Sequence, residues 1–253
     1  MINSLILYFQ FFTRVPIPVE IDNPAEGIRS GVRYFTLFGL ILGCIETLVF
    51  LLLQRVFGAG IAWIFTLFFD VCITGGFHLD ALSDMADGLF SSRNKERMLA
   101  IMKDSRVGSN GVLAVVFYYL LMIFSFYTIL PMTTIYQQLF IVLLLNVVGK
   151  NGISLLFYNM RYAGDNPEGS GTIFVNTKTA DIGIAQGFTF VLLLLLFGRV
   201  GVICFGVNVL VAAGYRWLVL NKVDGFNGDT LGAGSPLTQV SFLLTLVSLR
   251  GLL

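Results

Sequence analysis

The stretch YFTLFGLILGCIETLVFLLLQ, residues Tyr34–Gln54, carries a single charged residue, Glu46. The hydrocarbon core of a bilayer is about 30 Å thick, and a helix of about 20 such residues crosses it. The whole sequence has the same character, with 56% hydrophobic residues, 12% charged residues and a mean hydropathy of +0.84. A water-soluble domain of this length could not bury so many apolar side chains. We therefore predict an all-α, polytopic transmembrane helix bundle that forms one domain over residues 1–253.

Six further apolar stretches also suit membrane helices in length and composition. With the first, the predicted spans are Tyr34–Gln54, Gly58–Gly76, Val112–Leu130, Thr134–Tyr158, Ile184–Phe197, Gly201–Asn221 and Leu237–Leu253. The fifth is short, and only Gly198, Arg199 and Val200 separate it from the sixth. The sequence therefore predicts about seven crossings, with the count least certain over residues 184–221.

The basic residues are divided unequally between the two sides of such a bundle. With seven crossings, the N-terminal segment and three of the connections lie on one side, and they contain eleven of the 16 lysines and arginines. These are Arg14, Arg29, Arg33, Arg93, Lys95, Arg97, Lys103, Arg106, Arg161, Lys178 and Lys222. Only Arg55, Arg199 and Arg250 are expected opposite. Because short cytoplasmic loops are enriched in basic residues, we expect a bacterial or archaeal cytoplasmic (inner) membrane protein with its charged face in the cytoplasm.

The connection Gly75–Gly111, GGFHLDALSDMADGLFSSRNKERMLAIMKDSRVGSNG, is the densest polar stretch. If the second span continues as a helix past Phe77, then Asp80, Asp84 and Asp87 share one helix face. Carboxylates stacked in this way repel one another unless a cation neutralises them, and oxygen ligands suit Mg²⁺ or Mn²⁺. The alternative is a solvated helix face whose aspartates pair with the basic residues at positions 93–97. The pattern favours a metal site formed by Asp80, Asp84 and Asp87.

Other polar residues of the same face are candidates for catalysis or substrate binding. The only histidine, His78, is a candidate base or a structural cap, and helical spacing places it about 160° from the neighbouring aspartate face. Lys103, Asp104 and Arg106, beside two glycines, could bind the phosphates of a nucleotide or simply anchor the loop at the membrane. In the last connection, Asp229 could supply a further metal ligand or cap a turn.

Four segments resemble, in the same order, those of the cobalamin synthase (adenosylcobinamide-GDP ribazoletransferase) family. They are FFTRVPIP at residues 11–18, GGFHLDALSDMADGLFSS at 75–92, IMKDSRVGSNGV at 101–112 and GDTLGA at 228–233. The resemblance covers most of the chain, and the His-x-Asp-x-x-x-Asp-x-x-Asp stretch is its most specific part. The sequence departs from the family pattern at Ala81, where glycine is usual, at Asn227, where threonine is usual, and at Gln239, where an acidic residue is expected.

The resemblance implies a late step of vitamin B12 biosynthesis. In that step α-ribazole, or its 5'-phosphate, displaces GMP from adenosylcobinamide-GDP with Mg²⁺ present. We accordingly expect a transferase, and we assign site residues by combining this implication with the residue patterns. The expected catalytic residues are Asp84, Asp80, Asp104 and His78, the expected metal ligands are Asp80, Asp84 and Asp87, and the expected substrate-binding residues are Lys103, Arg106, Arg14, Asn227 and Asp229.

Two other classes of membrane protein share some of these features. A CDP-alcohol phosphatidyltransferase or a prenyltransferase shares the metal chemistry, but the Asp-Gly and Ala-Arg spacing of the former is not found here. A transporter would place its charges near the bilayer midplane, and most charges here lie in loops on one side. The near-neutral net charge of +1 does not favour nucleic acid as a partner. The expected partners are the two small-molecule substrates, membrane lipid and, as an option, a second copy or other late cobalamin-assembly enzymes.

Overall fold

The computed structural model describes residues 1–164 and 169–252, and this part of the chain is almost entirely helical. The helices are α1 (Ile2–Phe12), α2 (Pro24–Ser30), α3 (Phe35–Thr74), α4 (Phe77–Ser91), α5 (Lys95–Met102), α6 (Ser109–Ile129), α7 (Ile135–Leu156), α8 (Thr179–Val223), α9 (Gly228–Gly232) and α10 (Gly234–Ser248). Among the described residues, five helical stretches are long and apolar enough to cross a membrane. The predicted helical membrane fold is therefore confirmed.

Helix α3 reverses direction at Gly58, where φ is 75° and ψ is 161°. The ring of Phe126 packs against Phe50 before the turn and Trp63 after it, with centroid distances of 5.8 and 4.4 Å. In one straight helix residues 50 and 63 would lie roughly 20 Å apart. We therefore describe two arms, α3a (residues 35–57) and α3b (residues 58–74), which pack side by side.

Helix α8 reverses in the same way at Gly198, where φ is 56° and ψ is −128°. The rings of Phe190 and Phe205 lie 5.3 Å apart, whereas a continuous helix would separate these residues by about 22 Å. The arms are α8a (residues 179–197) and α8b (residues 198–223). The five long helices thus provide seven segments, so the two predicted spans around residue 198 form a hairpin.

Several predicted boundaries were wrong by a few residues. The second span was expected to reach Gly76, but α3 ends at Thr74 because Gly75 adopts a left-handed conformation. The fifth span was expected to begin at Ile184, but α8 begins at Thr179. Its polar first turn is stabilised by an ion pair, because the buried carboxylate of Asp181 lies 2.6 Å from the guanidinium of Arg33. The hydropathy profile does not report such caps and ion pairs, since it records only apolar content.

The seventh predicted span also differs from the structure. It was expected over Leu237–Leu253, whereas α10 is Gly234–Ser248 and a short 3-10 turn, Arg250–Leu252, follows it. Helix α10 starts early because its first turn, with Gly234 and Ser235, is buried inside the bundle rather than exposed as a loop. The charged-side connection is correspondingly shorter than expected.

Helix α7 lies at the centre of the bundle, where it packs against α3, α8 and α10. Its inner face carries polar side chains that find partners on neighbouring helices. Asn151 donates to the Oδ1 atom of Asn208 at 3.0 Å, and Asn146 donates to the Oε1 atom of Glu46 at 2.7 Å. Polar groups at membrane depth need such partners because lipid offers none.

Substitution of Gly58 should destabilise the fold. A side chain at φ 75° and ψ 161° is strained, so Gly58→Ala should lower the free energy of unfolding by about 1–3 kcal/mol. Gly206→Ala is the matched control, because Gly206 is helical, exposed and has open space around its Cα atom. We expect the control to be neutral or slightly stabilising. Thermal unfolding of both variants in detergent measures the difference, and equal stability would contradict the hairpin geometry.

Candidate active site around helix α4

Helix α4 presents the three predicted aspartates at graded depth. It starts afresh at Phe77 after the left-handed Gly75–Gly76 turn, so the aspartates do not continue the second span as the shared-face argument assumed. The helix nevertheless runs to Ser91, so their helical spacing holds. Asp80 is exposed, Asp84 is half-buried and Asp87 is buried.

Asp84 is the electrostatic centre of this group. Burial first, and then the negative charges of Asp80, Asp229 and Asp87, raise the pKa of Asp84 to about 7. Like charges raise the pKa of a carboxyl only when they lie close together, so α4 and α9 bring their acidic groups to one place. We name Asp80, Asp84 and Asp229 the carboxylate cluster.

Two of the three basic residues at positions 93–97, the alternative partners of these aspartates, interact elsewhere. Lys95 Nζ lies 3.5 Å from the Oδ2 atom of Asp224, and Arg161 Nη1 lies 3.3 Å from the Oδ1 atom of the same residue. Arg97 acts on Asp104, whose pKa it helps to lower. Lys95 and Arg97 thus interact with acidic residues other than Asp80, Asp84 and Asp87.

Asp87 has a different environment from the other two aspartates. Its two carboxylate oxygens accept hydrogen bonds from the backbone N–H groups of Gly108, at 2.7 Å, and Gly111, at 2.9 Å. Both donors lie at the N-terminus of α6, where backbone N–H groups need acceptors and a negative charge is favourable. Asp87 thus joins α4 to α6 and the loop before it, and its role as a metal ligand stays a prediction.

Asp229 reaches the cluster because α9 packs closely on α4. Asn227 caps α9, its Oδ1 atom accepting the Thr230 N–H at 2.9 Å, and its amide nitrogen donates to Asp229 Oδ2 at 3.2 Å. A Cβ atom on Gly232 would lie 2.6 Å from the Cβ atom of Ala81, so only glycine permits this approach. The predicted C-terminal site residues Asn227 and Asp229 therefore contact each other directly, and their roles in substrate binding stay predictions.

The predicted basic residues occupy three positions. Arg14 lies over the turn that leads into α4, since a Cβ atom on Gly75 would come within 2.2 Å of its Nε atom. Lys103 interacts electrostatically with Asp229. Arg106 instead pairs with Asp104 at the surface, at 3.0 and 2.6 Å.

The Asp104–Arg106 pair lies at the surface, with Arg106 exposed and Asp104 half-buried. Hydrogen bonds from Arg106 are the main reason that the pKa of Asp104 falls to about 2. A carboxylate with so low a pKa is a weak general base, because proton uptake is most effective when the pKa lies near the working pH. The structure thus separates Asp104 and Arg106 from the environment of Asp84, and their catalytic and binding roles stay predictions.

His78 faces the bundle interior instead of the carboxylate cluster. Its Nε2 atom lies 2.9 Å from Lys150 Nζ, and its ring packs on Phe12 with centroids 5.6 Å apart. Burial, and then the charge of Lys150, lower the pKa of His78 well below its usual range. Its Nδ1 atom is buried without a hydrogen-bond partner among the described residues.

Lys150 belongs to a polar chain that the site assignment from sequence missed. Its Nζ atom donates to Asn146 Oδ1 at 3.4 Å, and Asn146 in turn donates to Glu46. The signal was present, because charged residues inside apolar runs are costly and point into the bundle. Their connection to His78 depends on the packing of α7 against α3 and α4, which the sequence does not state.

Comparison with known proteins gives one consistent result. A model of the cobalamin-5-phosphate synthase family matches residues 4–247. A Listeria welshimeri protein named adenosylcobinamide-GDP ribazoletransferase is 44% identical over 99% of this chain and 100% of its own length. Proteins of the same name from Clostridium novyi and Clostridium botulinum are 37% and 34% identical, each over at least 97% of both chains. No solved structure matches. The chain therefore belongs to the cobalamin-5-phosphate synthase family.

Proposed function

We propose that this protein joins α-ribazole, or α-ribazole 5'-phosphate, to adenosylcobinamide-GDP and releases GMP, the activity for which its relatives are named. An oxygen of the ribazole moiety forms a bond to the cobinamide-linked phosphorus, and the bond from that phosphorus to GMP breaks. The hydroxyl proton passes to solvent. The carboxylate cluster is the observation that carries the proposal, because a repulsive set of acidic groups beside basic loops suits a metal-assisted reaction of a pyrophosphate.

The cluster fits Mg²⁺ in its ligand chemistry. The described residues contain no three His, Cys, Asp or Glu side chains that already converge on one point. Mg²⁺ is commonly held by one or two carboxylates while it keeps several waters and binds substrate phosphates, so a loose cluster suffices. We assign its protein ligands to Asp84 with Asp80 and Asp229. When bound, Mg²⁺ supplies positive charge that offsets the charge of the pyrophosphate and the departing GMP.

The chain's own residues provide binding and orientation. Arg14, exposed at the Gly75 turn, and Lys103, near Asp229, are placed to contact phosphate oxygens. Asn227 holds Asp229 in position through the hydrogen bond from its amide. Beside Asp80 there is an open cleft of about 560 Å³ between α4 and α6, through which a large donor substrate can approach.

The activity test is direct. Purified protein in detergent or nanodiscs should release GMP from adenosylcobinamide-GDP only when both α-ribazole, or its 5'-phosphate, and a divalent cation are present. Chelation by EDTA should stop the release, and Mg²⁺ or Mn²⁺ should restore it. A preparation that shows release from CDP-alcohols instead, or no release of GMP under any of these conditions, would refute the proposed function.

Mg²⁺ should stabilise the folded protein in a pH-dependent manner. Between about pH 4 and pH 7 the folded protein retains on Asp84 a proton that the unfolded chain has lost, so without metal its stability falls as the pH rises through this window. Since Mg²⁺ binds the carboxylate form, the Mg²⁺-induced rise in Tm should be larger at about pH 8 than at about pH 5. Thermal unfolding of the wild type and of Asp84→Asn measures this. A pH-independent shift, or one that is the same in Asp84→Asn, would contradict it.

We further propose that the site faces the cytoplasm from the inner membrane, in contact with lipid. Two of the three arginines expected on the other face lie next to the hairpin turns, Arg55 three residues before Gly58 and Arg199 directly after Gly198, and the acidic cluster and basic loops lie together. This agrees with the positive-inside tendency. A cysteine introduced at exposed Val56 should react with an impermeant reagent from outside intact cells, and one at exposed Ser105 should not; the reverse would refute the orientation. A second copy, or other late cobalamin-assembly enzymes, stay predicted partners.

A further inference from the structure

An aromatic cleft lies beside the carboxylate cluster, on the side of α4 that carries His78. It is a narrow cleft that opens to the surface. Its walls come from α1, α4, the end of α7 and the 3-10 turn Ser170–Phe174, and they include Phe11, Phe12, Phe77, Phe157 and Phe174. Gly228 and Gly232, on either side of Asp229, form its border with the cluster. A ligand in the cleft would therefore lie next to the residues assigned to the reaction.

The walls suit a flat, apolar ring system. Phe157 and Phe174 stack with centroids 4.2 Å apart and planes 5° apart, and Phe12 and Phe77 meet edge to face at 5.4 Å. These ring pairs hold one another in place and line the narrow cleft with aromatic faces and edges. Aromatic rings prefer offset or edge-on contact with other rings, so a planar aromatic guest is favoured over a flexible chain.

His78 contributes one defined hydrogen-bond donor to this cleft. A lysine ammonium can only donate, so the 2.9 Å contact with Lys150 Nζ requires that His78 Nε2 accept. The proton of the neutral ring then resides on Nδ1. Nδ1 is buried without a partner among the described residues, and a Cβ atom placed on Gly232 at the cleft border would lie 3.6 Å from it. A buried donor left unpaired is unfavourable, so a guest with an acceptor at this point is favoured.

We propose that the aromatic cleft binds the benzimidazole ring of the ribazole substrate and that His78 Nδ1–H donates to its unsubstituted ring nitrogen. This inference rests on the proposed function. A benzimidazole riboside has an apolar bicyclic ring with one free nitrogen acceptor, which matches apolar walls with one donor. The guanine of the other substrate carries several donors and acceptors that such walls would leave unpaired. His78 thus recognises the benzimidazole ring through a hydrogen bond, a role different from that of a general base in catalysis.

A pair of nucleosides tests the hydrogen bond without any protein variant. The wild-type protein should use α-ribazole with a kcat/KM roughly 10- to 100-fold higher than that of the matching indole riboside, in which a C–H group replaces the free nitrogen. The difference should lie mainly in KM, because the contact is remote from the reacting phosphorus. Equal use of the two nucleosides would overturn the inference. Absence of GMP release with either would instead count against the proposed function.

Variants of His78 and Lys150 test whether these residues cause the preference for α-ribazole over the indole riboside. His78→Phe keeps an aromatic ring but removes the hydrogen-bond donor, so it should reduce the preference for α-ribazole over the indole riboside to about onefold to threefold. Lys150→Met, which removes the group that directs the tautomer, should reduce it in part. Phe124→Ala, at a side chain 65% exposed on α6, should keep the wild-type preference. An undiminished preference in a folded His78→Phe protein would overturn the role of His78, and the nucleoside comparison decides the matter if that variant does not fold.

Discussion

Replacement of Asp84 by Asn should lower the rate of GMP release by at least about a thousandfold while the protein still folds and inserts. Asp84 is the half-buried centre of the carboxylate cluster, and its amide analogue cannot hold a divalent cation against the charge of the substrates. The same change relieves repulsion from Asp80, Asp229 and Asp87. In the absence of metal, therefore, the Tm of the variant at neutral pH should equal or exceed that of the wild type.

Asp224→Asn is the matched control for this prediction. Asp224 is an exposed carboxylate at the end of α8, tied to Lys95 and Arg161 by surface ion pairs that contribute little to stability. Its replacement should leave GMP release within about threefold of wild type. Full activity of Asp84→Asn, or an equal loss in both variants, would show that the cluster is not the reaction centre.

Replacement of Asp87 by Ala should destabilise the protein by about 3 kcal/mol. The change removes a buried acceptor and leaves the N–H groups of Gly108 and Gly111 unpaired at the start of α6. Chemical or thermal unfolding in detergent measures the loss, and hydrogen exchange should accelerate at the first turn of α6. Asp22→Ala, at an exposed aspartate before α2, should change stability by less than about 0.5 kcal/mol.

The Asp87 variant also separates a structural role from metal binding. If Asp87 mainly joins α4 to α6, Asp87→Asn, which retains one acceptor oxygen, should recover part of the stability lost in Asp87→Ala. The folded variant should also bind Mg²⁺ with near-normal affinity. A stable Asp87→Ala protein that has lost Mg²⁺ affinity would contradict this account. It would instead make Asp87 a direct ligand.

The membrane fold could be predicted from apolar content alone, since a bilayer imposes the length and composition of each span. The approximate number of segments follows from that constraint, whereas apolar content left the count around residue 198 open, and the structure shows a hairpin there. The ends of the segments do not. Thr179 begins α8 because buried Asp181 pairs with Arg33, far away in sequence, and hydropathy does not record such a pair.

The site was predictable to the extent that it depends on sidedness. Four crossings, an even number, separate α4 from the loop after residue 222 and so place both on the same side, and the structure brings Asp229 beside Asp84. Which oxygen meets which donor could not be predicted. Asp87 meets the α6 backbone, and Lys150 meets His78, only because three helices pack at particular angles. Helical spacing correctly separated His78 from the aspartates but could not show which groups it faces instead.

Binding of Mn²⁺ to the purified protein tests the central claim most directly, because Mn²⁺ takes the same oxygen ligands as Mg²⁺ and is visible by electron paramagnetic resonance. We predict saturable binding in the wild type that Mg²⁺ competes away, that Asp84→Asn abolishes and that Asp224→Asn preserves. Equal Mn²⁺ binding by the wild type and Asp84→Asn would contradict the assignment of Asp80, Asp84 and Asp229 as the metal site.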